Sequence, residues 1–303
     1  MKVWLAHKLA IPILGELPDG VVVEIADDPA ALPSDPAGVE FWVPTFLDQP
    51  SLRGLVHDLP DLRVLQLPSV GTDGWLDEVP AGVTLCHGGG VHDAATAEWV
   101  LGAILAQLRG FPGFLRDQDA GTWAHRPSKG LAGRRIVLLG SGAIGSAVAR
   151  RLAPFDVDLI KVARTARPSE GVRGVADVLS LLPSADVVIL LVPLTEQTRG
   201  LVDRRFLAAM PDGALLVNAA RGPVVDTEAL VDELSSGRLS AALDVTDPEP
   251  LPPGHPLWEQ PNTLITPHVA ARTEDMAARV YQLAAKQLHR FLAGEPLLNQ
   301  VVR

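Results

Sequence analysis

The chain has 303 residues, 47% hydrophobic and 20% charged, a globular composition with enough length for two domains that each bury a core. A formal net charge of −10 argues against nucleic acid as the main partner, and a single cysteine, Cys86, excludes an internal disulfide and fits a reducing compartment. No apolar run reaches about 18 residues and the N-terminus lacks a signal-peptide core, so a cytoplasmic protein without a membrane partner is expected.

Residues 1–92 alternate short apolar runs with Pro, Gly and Asp. This pattern predicts strands at Val3–Ala6, Val21–Ile25, Val39–Val43, Val64–Leu67 and Val83–Cys86, with helical connections at Leu47–Leu59 and Gly74–Glu78. Ser69-Val70-Gly71-Thr72-Asp73 follows the fourth of these strands, where free backbone N–H groups either meet an anion or close a plain turn. Asp93–Arg109 has helical spacing with Asp93 as its expected N-cap. It is apolar over most of its surface, which predicts burial between domains or subunits. Gly121–Gly133 is a polar link.

Regular alternation then begins. Strands are predicted at Ile136–Leu139, Val157–Val162, Asp186–Val192, Ala214–Asn218, Ser240–Val245 and Thr263–Thr266. Between them lie helices at Ala143–Pro154, Val175–Leu182, Asp203–Met210 and Asp226–Ser236. The near-continuous Val, Ile and Leu strands from residue 186 onward are those of a parallel sheet covered on both faces, hence a doubly wound α/β fold. An amphipathic helix at Arg272–Leu292, ending near Gly294, returns the chain to its first part. The expected domains are 1–92 with 273–303, and 93–272.

The stretch Arg134–Arg151 runs strand, tight turn, helix, with Gly140, Gly142 and Gly145 in Gly-x-Gly-x-x-Gly spacing. Gly140 allows the turn, Gly142 lets a pyrophosphate approach the backbone, and Gly145 lets helix and strand pack closely. The phosphates would sit on the helix start at Ala143 and Ile144. An ordinary glycine-rich turn is the alternative.

Three ionisable residues follow successive strands at the same sheet edge: Arg221, Glu249 and His268. An Arg fork grips a carboxylate, a His exchanges a proton near neutral pH, and an acid beside it orients the ring and stabilises its charged form. With a nicotinamide cofactor on the glycine turn, this trio predicts hydride transfer to the carbonyl of a 2-oxo acid, with His268 supplying the proton. In place of the acid that an NAD site expects after the second strand stand Arg164, Thr165 and Arg167. They predict NADP(H) as the preferred cofactor and NAD(H) as the alternative, even in a chain with 21 Arg among its 26 basic residues. His87-Gly-Gly-Gly90 has no Gly-x-Ser-x-Gly partner, so the hydrolase reading fails, and no cluster has metal-ligand spacing.

Five segments together resemble the D-isomer-specific 2-hydroxyacid dehydrogenases. They are Gly140–Gly145, Leu191–Thr195, Asn218–Gly222, Ala242–Val245 with Pro248–Leu251, and Thr266–Val269. Glyoxylate/hydroxypyruvate reductases and short phosphoglycerate dehydrogenases are the branches this chain is most similar to. The resemblance implies a Rossmann-type nucleotide-binding domain with a smaller flavodoxin-like substrate domain. It implies catalytic Arg221, Glu249 and His268, and a substrate carboxylate held by Arg221 and the backbone of Val70 and Gly71. Phe46, Leu47 and Val70 would border the substrate side chain. It also implies Asp244 and the carbonyls near Ala219 at the nicotinamide amide, Pro193 and Thr198 near the adenosine half, and a homodimer in which Trp123 reaches the neighbouring active site. A carboxylate at Glu249 argues against formate dehydrogenase chemistry, which uses an amide there. The alternative to an enzyme is a nicotinamide-dependent sensor or corepressor with little turnover.

Overall fold

The computed structural model describes residues 1–46 and 50–301. Leu47, expected beside the substrate, lies outside the described residues, as do the last two positions of the expected 273–303 segment. The chain divides into two compact units, Met1–His92 with Thr273–Arg303, and Asp93–Arg272. No described helix is long and apolar enough to cross a membrane.

The first unit carries five parallel strands: β1 (Lys2–Leu5), β2 (Val22–Ile25), β3 (Val39–Val43), β4 (Val64–Gln66) and β5 (Thr84–Cys86). Their spatial order, β2-β1-β3-β4-β5, is that of flavodoxin-like sheets. Trp4, Phe41, Trp42 and Leu65 are fully buried in its core. The connections are short: α1 (Ile11–Leu14), and α2 (Pro50–Gly54) running into a 3-10 turn at Leu55–Asp58. The helix expected at Gly74–Glu78 does not form, and the segment is a run of turns. Gly74 has φ +77, and of these five residues only Trp75 is buried. So short a segment with one anchoring side chain cannot offset the cost of starting a helix.

The second unit opens with α3 (Asp93–Leu108) and α4 (Phe111–Asp119). The spacing does not predict α4 because Gly110, Pro112 and Gly113 punctuate its start; Phe111, Phe114 and Leu115 share one face, but none of its residues is buried. Seven parallel strands follow: β6 (Arg135–Leu139), β7 (Asp158–Ala163), β8 (Val172–Gly174), β9 (Val187–Leu190), β10 (Leu215–Asn218), β11 (Ser240–Leu243) and β12 (Thr263–Ile265). Their order is β12-β11-β10-β9-β6-β7-β8. The edge strand β8, three residues long, was not anticipated. Between the strands lie α5 (Ala143–Leu152), α6 (Val178–Leu181), α7 (Arg204–Ala209) and α8 (Thr227–Ser235). The helix expected over Val175–Leu182 is only one turn of α6 flanked by 3-10 turns at Val175–Asp177 and Leu182–Ser184. Pro183, which lacks a backbone donor, stands in the second of these turns.

Strand residues alternate between two cores, as a sheet covered on both faces requires. Leu139, Val188, Leu190 and Leu216 face one core, with Phe206 and Leu207 of α7 and Leu230 and Leu234 of α8. Leu138, Val187, Ile189 and Val217 face the other, with Val100 and Ile104 of α3 and Val148 and Leu152 of α5. The last helix, α9 (Met276–Leu292), buries Val280, Tyr281, Ala284 and Leu288 in the core of the first unit. It stops at Gly294, whose φ of +67 ends a right-handed helix.

Candidate active site

Three neighbouring strands of the second unit end in register. Asn218 of β10 lies opposite Leu243 of β11, which lies opposite Ile265 of β12. Three residues beyond these positions stand Arg221, Thr246 and His268, and three beyond Thr246 stands Glu249. The register therefore delivers Arg, acid and His to one edge, the carboxyl edge where ligands of open α/β sheets bind.

Each loop is held by specific bonds. Asn218, almost fully buried, accepts from Ala220 N (3.0 Å) and donates from Nδ2 to the Arg221 carbonyl (3.1 Å), closing the turn that presents Arg221. Arg221 donates from a guanidinium nitrogen to the Ala220 carbonyl (2.8 Å). A Cβ on Gly222 would collide with the Thr246 carbonyl, so only glycine lets this loop lie against the next. That next loop is tied by Thr246 Oγ1 to the Pro248 carbonyl (2.8 Å) and by Thr227 Oγ1 to the Asp247 carbonyl (2.8 Å). Glu249 Oε1 and His268 Nδ1 stand 2.6 Å apart. His255, in the same proline-rich loop, caps a short 3-10 turn by accepting from Leu257 N (3.2 Å), which is a structural role.

Burial works to raise the Glu249 carboxyl, but the hydrogen bond and charge of His268, the charge of Arg221 and a bond from the Thr246 backbone outweigh it. The net result lies below the ordinary glutamate value. An ionised Glu249 accepts only, so its short contact places a proton on His268 Nδ1 and leaves Nε2 for another partner. The His268 side chain is 47% exposed and that of Glu249 40%, so the pair is open to water.

The glycine turn follows β6. Gly140 has φ +111, and a Cβ there would strike the Leu191 carbonyl. A Cβ on Gly145 would strike the carbonyl of Gly140, so helix and turn touch backbone to backbone. Gly142 has nothing within 4 Å of where its Cβ would stand, and no side chain caps the start of α5. The open approach and the first N–H groups of α5 at Ala143 and Ile144 fit a phosphate.

The remaining expected cofactor residues divide by surroundings. Arg164 and Thr165 are exposed in a bend after β7. Arg167 is occupied: it pairs with Glu170 (2.9 Å) and donates to the Ser141 carbonyl (3.2 Å). Glu170 was not anticipated, because it lies beyond the position at which a ribose-binding acid is expected. Thr198 Oγ1 donates to the Pro193 carbonyl (2.6 Å) and accepts from Thr195 N (2.8 Å), so it shapes the 193–198 turn. Ala219 follows β10 directly, with its N donating to the Leu190 carbonyl (3.3 Å). Asp244, almost fully buried, directs both carboxylate oxygens into the 266–270 loop. The supporting roles of Asn218, Gly222, Thr227 and Thr266 carried no spacing signal of their own. In the first unit Ser69 Oγ donates to the Gly71 carbonyl (2.8 Å), closing the loop that carries Val70 and Gly71, and the ring of Phe46 stands edge-on to that of His92.

The family profile described as "D-isomer specific 2-hydroxyacid dehydrogenase, NAD binding domain" matches residues 101–270. A protein of Thermofilum pendens named glyoxylate reductase is 38% identical over 253 residues, 78% of this chain and 74% of its own. A D-isomer specific 2-hydroxyacid dehydrogenase from Xanthobacter autotrophicus Py2, solved with NADPH and MES, superposes with a TM-score of 0.85 at 32% identity, over 99% of this chain and 97% of its own. An NADPH-dependent glyoxylate/hydroxypyruvate reductase from Sinorhizobium meliloti, solved with NADP and sulfate, gives 0.84 at 28% identity, over 99% and 98%.

Proposed function

Because the chain belongs to the D-isomer specific 2-hydroxyacid dehydrogenase family, whose members are nicotinamide-dependent oxidoreductases of small 2-hydroxy and 2-oxo acids, we propose that it reduces a small 2-oxo acid with NADPH and oxidises the D-2-hydroxy acid in reverse. The observation that carries this reading is the 2.6 Å Glu249–His268 pair on the same sheet edge as Arg221.

A bound nicotinamide cofactor supplies hydride to the carbonyl carbon. Arg221 holds the substrate carboxylate with its planar fork and draws electron density from the adjacent carbonyl. His268 Nε2 gives its proton to the carbonyl oxygen as that oxygen becomes a hydroxyl, while Glu249 holds the ring through Nδ1. Solvent then recharges the ring. In the oxidative direction neutral His268 takes the hydroxyl proton.

The start of α5 at Ala143 and Ile144, with the room beside Gly142 and the close packing at Gly140 and Gly145, is assigned to the pyrophosphate. Pro193 and Thr198 are assigned to the adenosine side, and Ala219 and Asp244 to the carboxamide. The 2′-phosphate is assigned to Arg164 and Thr165. Arg164 makes no ion pair among the described residues, whereas Arg167 already carries Glu170 and contributes less. The NADPH of the Xanthobacter neighbour and the NADP of the Sinorhizobium neighbour favour the same cofactor. In the first unit, the backbone of Val70 and Gly71 is assigned to a substrate anion. A cytoplasmic homodimer is the assembly proposed, with the 98% exposed Trp123 as a residue that a second copy would cover.

The test is cofactor oxidation at 340 nm with glyoxylate, hydroxypyruvate and a bulkier 2-oxo acid, each with NADPH and NADH. Turnover with at least one acid, and higher kcat/KM with NADPH, is expected. Higher kcat/KM with NADH overturns the cofactor assignment. Cofactor binding without turnover across the panel overturns the enzyme and supports a sensor.

A further inference from the structure

We propose that Thr266 is a positioning residue for proton transfer, acting with buried Asp244 as a clamp that holds the His268 backbone in a left-handed conformation. The inference rests on the reading of His268 as the acid–base group.

His268 has φ +53, a conformation in which a Cβ crowds the neighbouring carbonyl and which residues other than glycine seldom adopt. Such a conformation persists only where the surroundings over-determine it. Here Asp244 does so with four bonds. Its backbone carbonyl accepts from His268 N (2.7 Å). Its Oδ1 accepts from Thr266 Oγ1 (2.6 Å) and Val269 N (2.9 Å), and its Oδ2 accepts from Ala270 N (2.9 Å). Residues on both sides of His268 are thus fastened to one buried side chain at the end of β11, the strand that leads into the Glu249 loop.

Thr266 supplies the only side-chain donor among these four bonds. Pro267 separates it from His268 and, having no N–H, adds no bond of its own. Without the Thr266 hydroxyl, the segment before His268 is left with backbone bonds alone, Thr266 N to the Leu243 carbonyl (2.9 Å) and His268 N to the Asp244 carbonyl (2.7 Å), while the segment after keeps its two bonds to the Asp244 carboxylate. Relaxation of φ toward the ordinary region would swing the His268 Cβ, and with it the imidazole, away from Glu249 Oε1. The 2.6 Å Nδ1 contact cannot survive such a swing, so the clamp sets which way Nε2 points. Arg221 is held independently by Asn218, so substrate capture should not depend on Thr266.

Thr266→Val keeps the shape and removes the hydroxyl, and Thr266→Ser keeps the hydroxyl. Thr266→Val is expected to lower kcat about 10- to 100-fold, the effect of misplacing a catalytic group by about 1 Å, with KM for the 2-oxo acid nearly unchanged. Thr266→Ser should recover most of that loss. Nitrogen-15 NMR of the His268 ring reads the same clamp without turnover: the Nδ1 signal should move in Thr266→Val and return in Thr266→Ser. An unmoved Nδ1 signal in Thr266→Val, or a Thr266→Ser enzyme as impaired as Thr266→Val, overturns the clamp. A moved ring signal in a protein whose wild type reduces no 2-oxo acid upholds the clamp and overturns the functional reading instead.

Discussion

Two regions leave the same sheet edge and are built in opposite ways. After β7, Arg164 and Thr165 stand exposed in a bend, with no ion pair among the described residues to hold the arginine. After β10, β11 and β12 the loops are fastened to one another: Gly222 lies on Thr246, Thr227 holds Asp247, Asp244 holds 266–270, and Glu249 holds His268. The difference fits the tasks that the proposed function gives each region. Proton transfer fails when groups are misplaced by about an ångström, so its parts must be fixed before the ligand arrives. An exposed arginine without an ion-pair partner can instead turn its fork to meet a phosphate bidentately as the ligand binds.

Substitutions in the fastened region should therefore cost most. Removing the proton donor with His268→Ala is expected to lower kcat about 10³-fold, within the range for loss of a general acid–base group, while cofactor affinity is retained. Steady-state kinetics with a fluorescence titration of cofactor checks both parts, and a near-normal kcat would remove His268 from the reaction. Arg221→Ala comes next. It should raise KM for the 2-oxo acid and lower kcat/KM by about 10²-fold, the scale of one charge-assisted bidentate contact. The open region gives a smaller and more selective effect. Arg164→Ala should raise KM for NADPH about tenfold and leave KM for NADH unchanged. Equal loss with both cofactors would mean that Arg164 supports the fold of the bend and does not read the phosphate.

The sheet, the glycine turn and the three ionisable residues were legible because each has a local signature. Continuous Val, Ile and Leu mark strands covered on both faces, and glycine spacing marks the turn. Two elements were misjudged: α4, whose start is punctuated by Gly110, Pro112 and Gly113, was missed, and a helix was expected at 74–78, where only Trp75 is anchored and none forms. The contacts between loops were invisible for a different reason. Gly222, Thr227 and Thr266 act through partners set by the register of neighbouring strands, and no spacing within the chain encodes that register. Glu170 beside Arg167 is the converse case. A residue three positions away pairs with Arg167, one of the three residues, with Arg164 and Thr165, on which the cofactor expectation rested.

The smallest effect in the fastened region is one of pH. Glu249 titrates below its ordinary value of 4.5 in the folded protein. Folding therefore favours its ionised form, and the stabilisation is complete above the ordinary value and disappears as pH falls through the lowered folded value. Half exposure screens the interaction, so the thermal midpoint should differ between wild type and Glu249→Gln by only about 1–2 °C near neutral pH. That gap should close as pH is taken from 5 toward 3. Calorimetric scans of both proteins across this interval measure it, with Arg164→Ala as the control from the open region. The control should track the wild type at every pH, because Arg164 forms no pair with an acid that titrates there. A gap that stays constant to pH 3 would mean that Glu249 contributes to the fold by packing alone, and that its bond to His268 adds no charge-dependent stability.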